Sequence, residues 1–164
     1  MRDTQGFDEF YASTRQSLVA QVYAMIGDLG EAEDAVAEAY ARAWQRWRKV
    51  HSYADPKAWV RTVAYRVAVS SWRRARNRAD AHRRSGEPEP AFDPQTVILV
   101  EALRQITPDQ RRAIVLHHLV GLSVAEIAAE TGSSASAVKQ WLSRGRRSLA
   151  NALGDDLTEV DSHA

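Results

Sequence analysis

GLSVAEIAAETGSSASAVKQWLSRGRR, residues 121–147, reads as two short helices joined by a glycine turn. Ser123 followed by Glu126 is a capping box, in which each residue satisfies a backbone N–H of the other. Val124, Ile127 and Ala128 give the first helix an apolar side, and Gly132 ends it. The second helix runs from about Ser134 to Leu153, with Val138, Leu142, Leu149 and Leu153 in register and Gly154 as its stop. Such a pair needs a small residue where the helices cross, a glycine at the turn and an apolar residue where the second helix packs back. Ala128, Gly132 and Val138 supply these in order, so the stretch is a helix-turn-helix. Its second helix presents Ser134, Ser136, Ala137, Lys139, Gln140, Arg144 and Arg147, the short polar and basic side chains that suit a helix in a DNA major groove. Phosphate contacts are expected from Lys139, Arg144, Arg146 and Arg147, and base contacts from outward residues near the helix start.

Working back towards the N-terminus, every strong periodic signal is helical. Thr107-Pro108-Asp109-Gln110 is a helix start with cap, proline and capping glutamine in place. Ile114, Val115 and Leu119 follow, and Gly121 stops that helix. Val97, Val100, Leu103 and Ile106 form a shorter helix after the Asp93-Pro94 start. Residues 79–95, with Ser85-Gly86-Glu87-Pro88-Glu89-Pro90, have aperiodic apolar residues and spaced prolines, and read as a linker. Before it, Phe7, Phe10, Tyr11, Thr14, Leu18 and Val22 mark one face of a first helix, interrupted by Gly27-Asp28-Leu29-Gly30. Asp28 with Glu31 reads as a second capping box. Ala32, Val36, Tyr40, Ala43, Trp44 and Trp47 stripe the next helix, expected to end near Lys49. Residues 50–54 read as a loop. Asp55-Pro56 starts a third helix, with Trp59, Val60, Val63, Ala64, Val67 and Trp72 as its apolar positions. The expected architecture is all-α: a helical module over residues 1–78, a linker over 79–95, a helix-turn-helix module over 96–154 and a frayed acidic tail over 155–164.

Composition narrows the function. The chain of 164 residues has no cysteine, which removes disulfides, thiolate zinc sites and cysteine nucleophiles together. Mean hydropathy is −0.43, and no apolar run approaches the ~18 residues of a membrane span. A cytoplasmic location is expected. Net charge is only +1, yet the charge is segregated. Residues 28–38 carry Asp28, Glu31, Glu33, Asp34 and Glu38 with no base. Residues 57–84 carry Lys57, Arg61, Arg66, Arg73, Arg74, Arg76, Arg78, Arg83 and Arg84 against Asp80 alone. Cations beside aromatics suit phosphates and unstacked bases. No Ser/His/Asp set, phosphate-binding glycine loop or metal spacing is present, so neither an enzyme nor a cofactor is expected. His117 and His118 are adjacent, about 100° apart on a helix and poorly placed to share a metal. A stand-alone helix-turn-helix regulator binding duplex DNA fits the second module; a structural adaptor leaves the charge segregation unexplained.

Four segments together resemble the extracytoplasmic-function (ECF) sigma factors. They are Gly27-Asp28 with Ala32-Glu33-Asp34-Ala35-Val36-Ala37-Glu38-Ala39-Tyr40 and Arg42-Ala43-Trp44; Asp55-Pro56-Lys57-Ala58-Trp59-Val60-Arg61-Thr62-Val63-Ala64 and the arginine run; residues 103–111; and residues 121–128 with Ala137-Val138-Lys139. The resemblance covers nearly all of residues 6–153. It implies a bacterial subunit that docks core RNA polymerase and directs it to promoters. It implies that Glu33, Asp34, Glu38 and Trp44 meet the polymerase β′ coiled coil. It implies that His51, Ser52, Tyr53 and Trp59 contact a flipped −10 strand, with Arg61, Arg66, Arg73 and Arg74 on its phosphates. The helix-turn-helix would read the −35 element and lean on the β flap, and the linker, through Glu87, Glu89 and Asp93, would imitate nucleic-acid charge. An anti-sigma factor is a further partner the resemblance raises. The pattern departs at Gln140-Trp141, where serine and arginine are usual, at Gly145, usually alanine, and in Tyr65-Arg66-Val67-Ala68, which lacks a frequent asparagine.

Overall fold

Helix α1 spans Thr4–Ile26, α2 Leu29–Gln45, α3 Trp47–Val50 and α4 Pro56–Asn77. After a gap in the described chain come α5 (Pro94–Arg104), α6 (Pro108–Ile114), a π-helical turn (Val115–Leu119), α7 (Val124–Thr131) and α8 (Ala135–Asp161). The structure, a computed structural model, describes residues 4–77 and 93–161. They fall into two compact units, divided at Glu87 and Pro88. The expected linker, with Glu87 and Glu89, lies almost wholly outside the described residues.

In the first unit α1, α2 and α4 pack on one another. The buried side of α2 is built from Ala32, Ala35, Val36, Ala39, Tyr40 and Ala43. Alanines keep that face narrow, so Leu18, Val22 and Met25 of α1 and Val60, Ala64 and Ala68 of α4 reach the shared core. Gly27, at φ +81, reverses the chain after α1. Asp28 then caps α2, its carboxylate accepting the Glu31 N–H at 3.0 Å. Glu31 turns its own carboxylate to α4 instead, accepting from Ser71 Oγ at 3.2 Å, so a tie between helices stands where the second half of a capping box was expected. The Tyr40 hydroxyl lies 2.5 Å from Thr14 Oγ1. Thr14 donates its proton to the Phe10 carbonyl at 2.6 Å, which leaves Tyr40 as the donor in the first contact. Burial pushes the Tyr40 hydroxyl above its ordinary pKa.

The helix expected to run to Lys49 breaks at Arg46, whose φ −117 and ψ 22 leave the helical region. The break turns α3 so that Trp47 and Val50 both become buried. Trp72, expected on the apolar stripe of α4, is 57% exposed instead. The buried positions Val60, Arg61, Ala64 and Ala68 leave it at the stripe's edge.

In the second unit short helices are fastened by their ends. Asp93 caps α5 through the Thr96 N–H at 2.9 Å, and Thr107 caps α6 through the Gln110 N–H at 3.3 Å. Arg111 clamps the two, with Nε on the Leu103 carbonyl at 2.7 Å and Nη2 on those of Ile106 at 3.1 Å and Arg104 at 3.4 Å. Leu103 and Arg104 stand in the last turn of α5, where carbonyls lack a full set of helical partners, and Ile106 follows it. The last turn before Gly121 opens into π geometry, Val120 N–H reaching the Val115 carbonyl at 3.1 Å. The extra residue swings Leu119, expected on the apolar face, out to 45% exposure. Gly154 is not a stop: among the described residues positive φ is confined to Gly27, Gly121 and Gly132, and α8 continues to Asp161. The segment expected to fray is thus helical over most of its length.

Candidate nucleic-acid interface

The helix-turn-helix forms as its spacing requires. Ser123 and Glu126 complete the reciprocal box, at 3.1 Å from the Glu126 N–H to Ser123 Oγ and 3.0 Å in return. These bonds hold the Glu126 carboxyl below its ordinary pKa. Gly132 ends α7 at φ +68, left-handed backbone that costs glycine nothing. Ile127 and Val138 are fully buried where α7 and α8 meet, and the Ala128 carbonyl accepts the Ser133 N–H at 3.0 Å.

Along α8 the buried stripe is Val138, Leu142 and Gly145. At about 100° per residue, Lys139, Ser136, Arg147, Gln140 and Arg144 occupy the opposite side, and all five are exposed. Ala137 is half-buried at its border. Ser134 differs from its expected outward role: its Oγ accepts the Ala137 N–H at 3.0 Å and caps the helix. Trp141 lies beside the buried stripe, half-buried. Arg146 donates from Nε to His118 Nε2 at 3.1 Å, and His117 Nδ1 sits 2.7 Å from the Leu122 carbonyl. Both histidines therefore have partners. His118 is held below its ordinary pKa by burial first, then by Arg146 and His117. Among the described residues no cluster of histidine and carboxylate side chains is placed to hold a metal.

Gly145 has a packing role that its sequence position did not announce. A Cβ there would stand 2.6 Å from Ile114 Cδ1 and 3.2 Å from Gln110 Cβ. The bare backbone lets α8 lie close against α6.

In the first unit Trp59, Arg66 and Arg73 recur every seven residues along α4, so they share one face at intervals of about 10 Å. Arg74 flanks that face and reaches Ser70 Oγ at 3.4 Å. Trp59 is half-buried, while Arg66, Arg73 and Arg74 are exposed. Arg61 is a correction. Expected on phosphates, it is 2% exposed and directs Nη1 to Gln21 Oε1 of α1 at 3.3 Å. It falls between Val60 and Ala64 on the buried side of α4, so the helix turns it into the core. Before α4, residues 51–54 are exposed. Ser52 Oγ is folded back on the Lys49 carbonyl at 2.6 Å, a bond internal to the turn. Asp55 accepts the Ala58 N–H at 3.1 Å and starts α4.

The acidic residues lie on the side of α2 away from its alanines. Glu33, Asp34 and Glu38 are exposed, and Glu38 pairs with Arg42 at 3.1 Å across one helical turn. Trp44 is half-buried, its ring edge-on to Phe7 at 5.1 Å.

Residues 10–78 match the family described as Sigma-70 region 2, and residues 96–149 match Sigma-70, region 4. The chain belongs to the ECF sigma factors of the sigma-70 family. The chain is 32% identical over 155 residues to the ECF sigma factor SigJ of Mycobacterium tuberculosis, across 85% of its own length and 48% of SigJ. It is 28% identical to the ECF sigma factor BldN of Streptomyces coelicolor, across 94% of this chain and 62% of BldN. The chain thus spans about half the length of SigJ and about three-fifths of BldN. The crystal structure of SigJ superposes with a TM-score of 0.58 at 31% identity, over 87% of this chain and 52% of that one. The sigma factor RpoE of Bartonella quintana, solved in complex with the anti-sigma factor NepR, shares the fold at a TM-score of 0.77 and 24% identity, over 92% and 98% of the two chains. Region 2 and region 4 of this sigma factor are accordingly the first and second units described above. No helix among the described residues is long and apolar enough to cross a membrane.

Proposed function

We propose that this chain binds bacterial core RNA polymerase in the cytoplasm and directs initiation at promoters that it reads through both units. The observation that carries the reading is the outward face of α8, with Ser136, Lys139, Gln140, Arg144 and Arg147 opposite a fully buried Val138, in a chain that also presents the Trp59–Arg66–Arg73 face. Short polar groups near the start of a helix fit base edges, and the cations beside them fit phosphates. In region 4 these five residues and Ala137 meet the −35 duplex, with Ser134 supporting them as cap; the same unit leans on the β flap. In region 2, His51, Tyr53 and Trp59 contact the opened −10 strand and Arg66, Arg73 and Arg74 hold its phosphates. Stacking of about 1–3 kcal/mol per base offsets a few kcal/mol of unstacking. Arg61 is left out of this set, and Ser52 contributes as a brace of the turn. Glu33, Asp34, Glu38 and Trp44 dock the β′ coiled coil. The complex of the Bartonella quintana RpoE with the anti-sigma factor NepR supports an anti-sigma factor as a further partner in trans.

The test is a pull-down of purified core polymerase followed by run-off transcription from genomic fragments. Retained core and discrete start sites are the expected outcome. Tight binding of free protein to duplex DNA without core binding would identify a stand-alone regulator. Replacing Arg73 and Arg74 together by alanine should weaken promoter opening everywhere. The dependence on log salt should become shallower by roughly 0.7–0.9 per lost phosphate contact, measured as open-complex formation between two ionic strengths.

A further inference from the structure

Trp47 is the residue of region 2 whose chemistry and placement disagree. It is 6% exposed, and its indole Nε1 is buried with no hydrogen-bond partner. An unmet buried donor destabilises a fold, and a leucine or phenylalanine would fill apolar space without one. What the indole supplies is ring area at a junction. It meets Phe7 edge-on at 5.3 Å and Phe10 at 5.2 Å, both on α1. It also meets the His51 ring at 5.2 Å with the planes 62° apart.

His51 opens the segment assigned above to the −10 strand, and the segment is already shaped. The His51 N–H bonds the Trp47 carbonyl at 2.7 Å, Ser52 is bonded twice to the Lys49 carbonyl, and the Tyr53 N–H reaches the Val50 carbonyl at 3.1 Å. Val50, 1% exposed, pins the turn from below. Tyr53 stands out at 37% exposure. A turn held in place before DNA arrives loses less conformational freedom on binding and presents one geometry to the bases.

We propose that Trp47 is a positioning residue for −10 recognition: packed against Phe7 and Phe10, its ring fixes His51 and the turn behind it, so base selection depends on an interior aromatic that does not meet DNA. The proposal rests on the assignment of His51 and Tyr53 to the −10 strand. It adds that the N-terminal helix of region 2 takes part in base selection through Trp47.

The experiment uses holoenzyme reconstituted from core polymerase and the full chain, on one promoter mapped by run-off transcription and its single-base −10 variants. The readout is the discrimination ratio, initiation at the mapped promoter over initiation at each variant. W47L should lower this ratio roughly three- to tenfold, the size that an aromatic pair of this geometry contributes, with core affinity held within about twofold. W47F, which keeps a ring edge towards His51 and removes the unmet donor, should restore most of the ratio. H51A should lower the ratio as W47L does, and the double variant should lose little more, because the two act in series. Where W47L does not fold, W47M, which fills the same apolar space without a ring, takes its place. An unchanged ratio, or equal losses at every promoter, in a folded W47L or W47M would overturn the proposal, whereas an unchanged ratio in H51A would overturn the assignment of His51 on which it rests. Absence of core binding by the unaltered chain would instead overturn the assignment on which it rests.

Discussion

Region 2 and region 4 solve the same problem in different ways. Region 2 uses three long helices and a wide shared core, in which alanines on α2 admit large side chains from α1 and α4. Region 4 packs three short helices, α5, α6 and α7, against the long α8, and fastens their ends: an aspartate, a threonine and a serine cap, a reciprocal box, a left-handed glycine and an arginine spanning three carbonyls. Each unit is therefore vulnerable at a different place. Region 2 should respond to lost volume and region 4 to lost hydrogen bonds or to crowding.

Tyr40→Ala should have the largest effect. It removes a ring buried against Phe10 and Tyr11 together with the Thr14 bond, and should cost about 3–5 kcal/mol. Thermal unfolding followed by NMR should show region 2 melting early and region 4 unchanged; a joint shift would mean that the units share stability. Arg111→Met should cost region 4 about 1–3 kcal/mol, since it keeps the stem and removes the donors to the part-buried Leu103 and Ile106 carbonyls. Urea titration measures this, and region 2 should not respond.

Gly145→Ala sharpens the comparison at closer range. Alanine gains about 1 kcal/mol of helix propensity, while crowding of Ile114 and Gln110 costs about 1–3 kcal/mol. A net loss of about 1 kcal/mol is expected. Adding Ile114→Val removes the Cδ1 atom in the way and should recover it, so the pair should couple in a double-mutant cycle.

The smallest effect is that of pH. His118 has a folded pKa below its ordinary value, so the unfolded chain binds the proton more readily. Its contribution to region 4 is present above about pH 6.5 and is lost as pH falls through the depressed folded value. Proton NMR of the His118 ring gives the pKa directly. His118→Gln should flatten the stability profile below pH 6.5 and leave it unchanged above.

Features written in one or two adjacent residues were legible in the sequence. Asp55-Pro56, Asp93-Pro94, Thr107-Pro108 and Ser123 with Glu126 all start helices, because a cap acts on an N–H two or three residues away. The outward face of α8 was legible for the same reason of locality. What escaped depends on distant partners. Arg61 reads as a free cation until Gln21, forty positions earlier, is brought beside it. The break at Arg46 follows from burying Trp47 and Val50 together, and Trp72 is exposed because the core takes the neighbouring edge of α4. Glu31 looks like half of a local box and bonds Ser71. Gly154 reads as a stop because glycine often is one, yet α8 runs through it.

The π-helical turn makes one stretch of the chain intolerant of a change in length. It holds one residue more than an α-helix needs, and that residue sets the angle at which Leu122 returns its N–H to the Leu116 carbonyl, at 2.9 Å, before α7 begins. Deleting any residue of Val115–Leu119 would close the turn to ordinary geometry and rotate the following chain by about 100°. The helix-turn-helix would then be intact in sequence and aimed elsewhere.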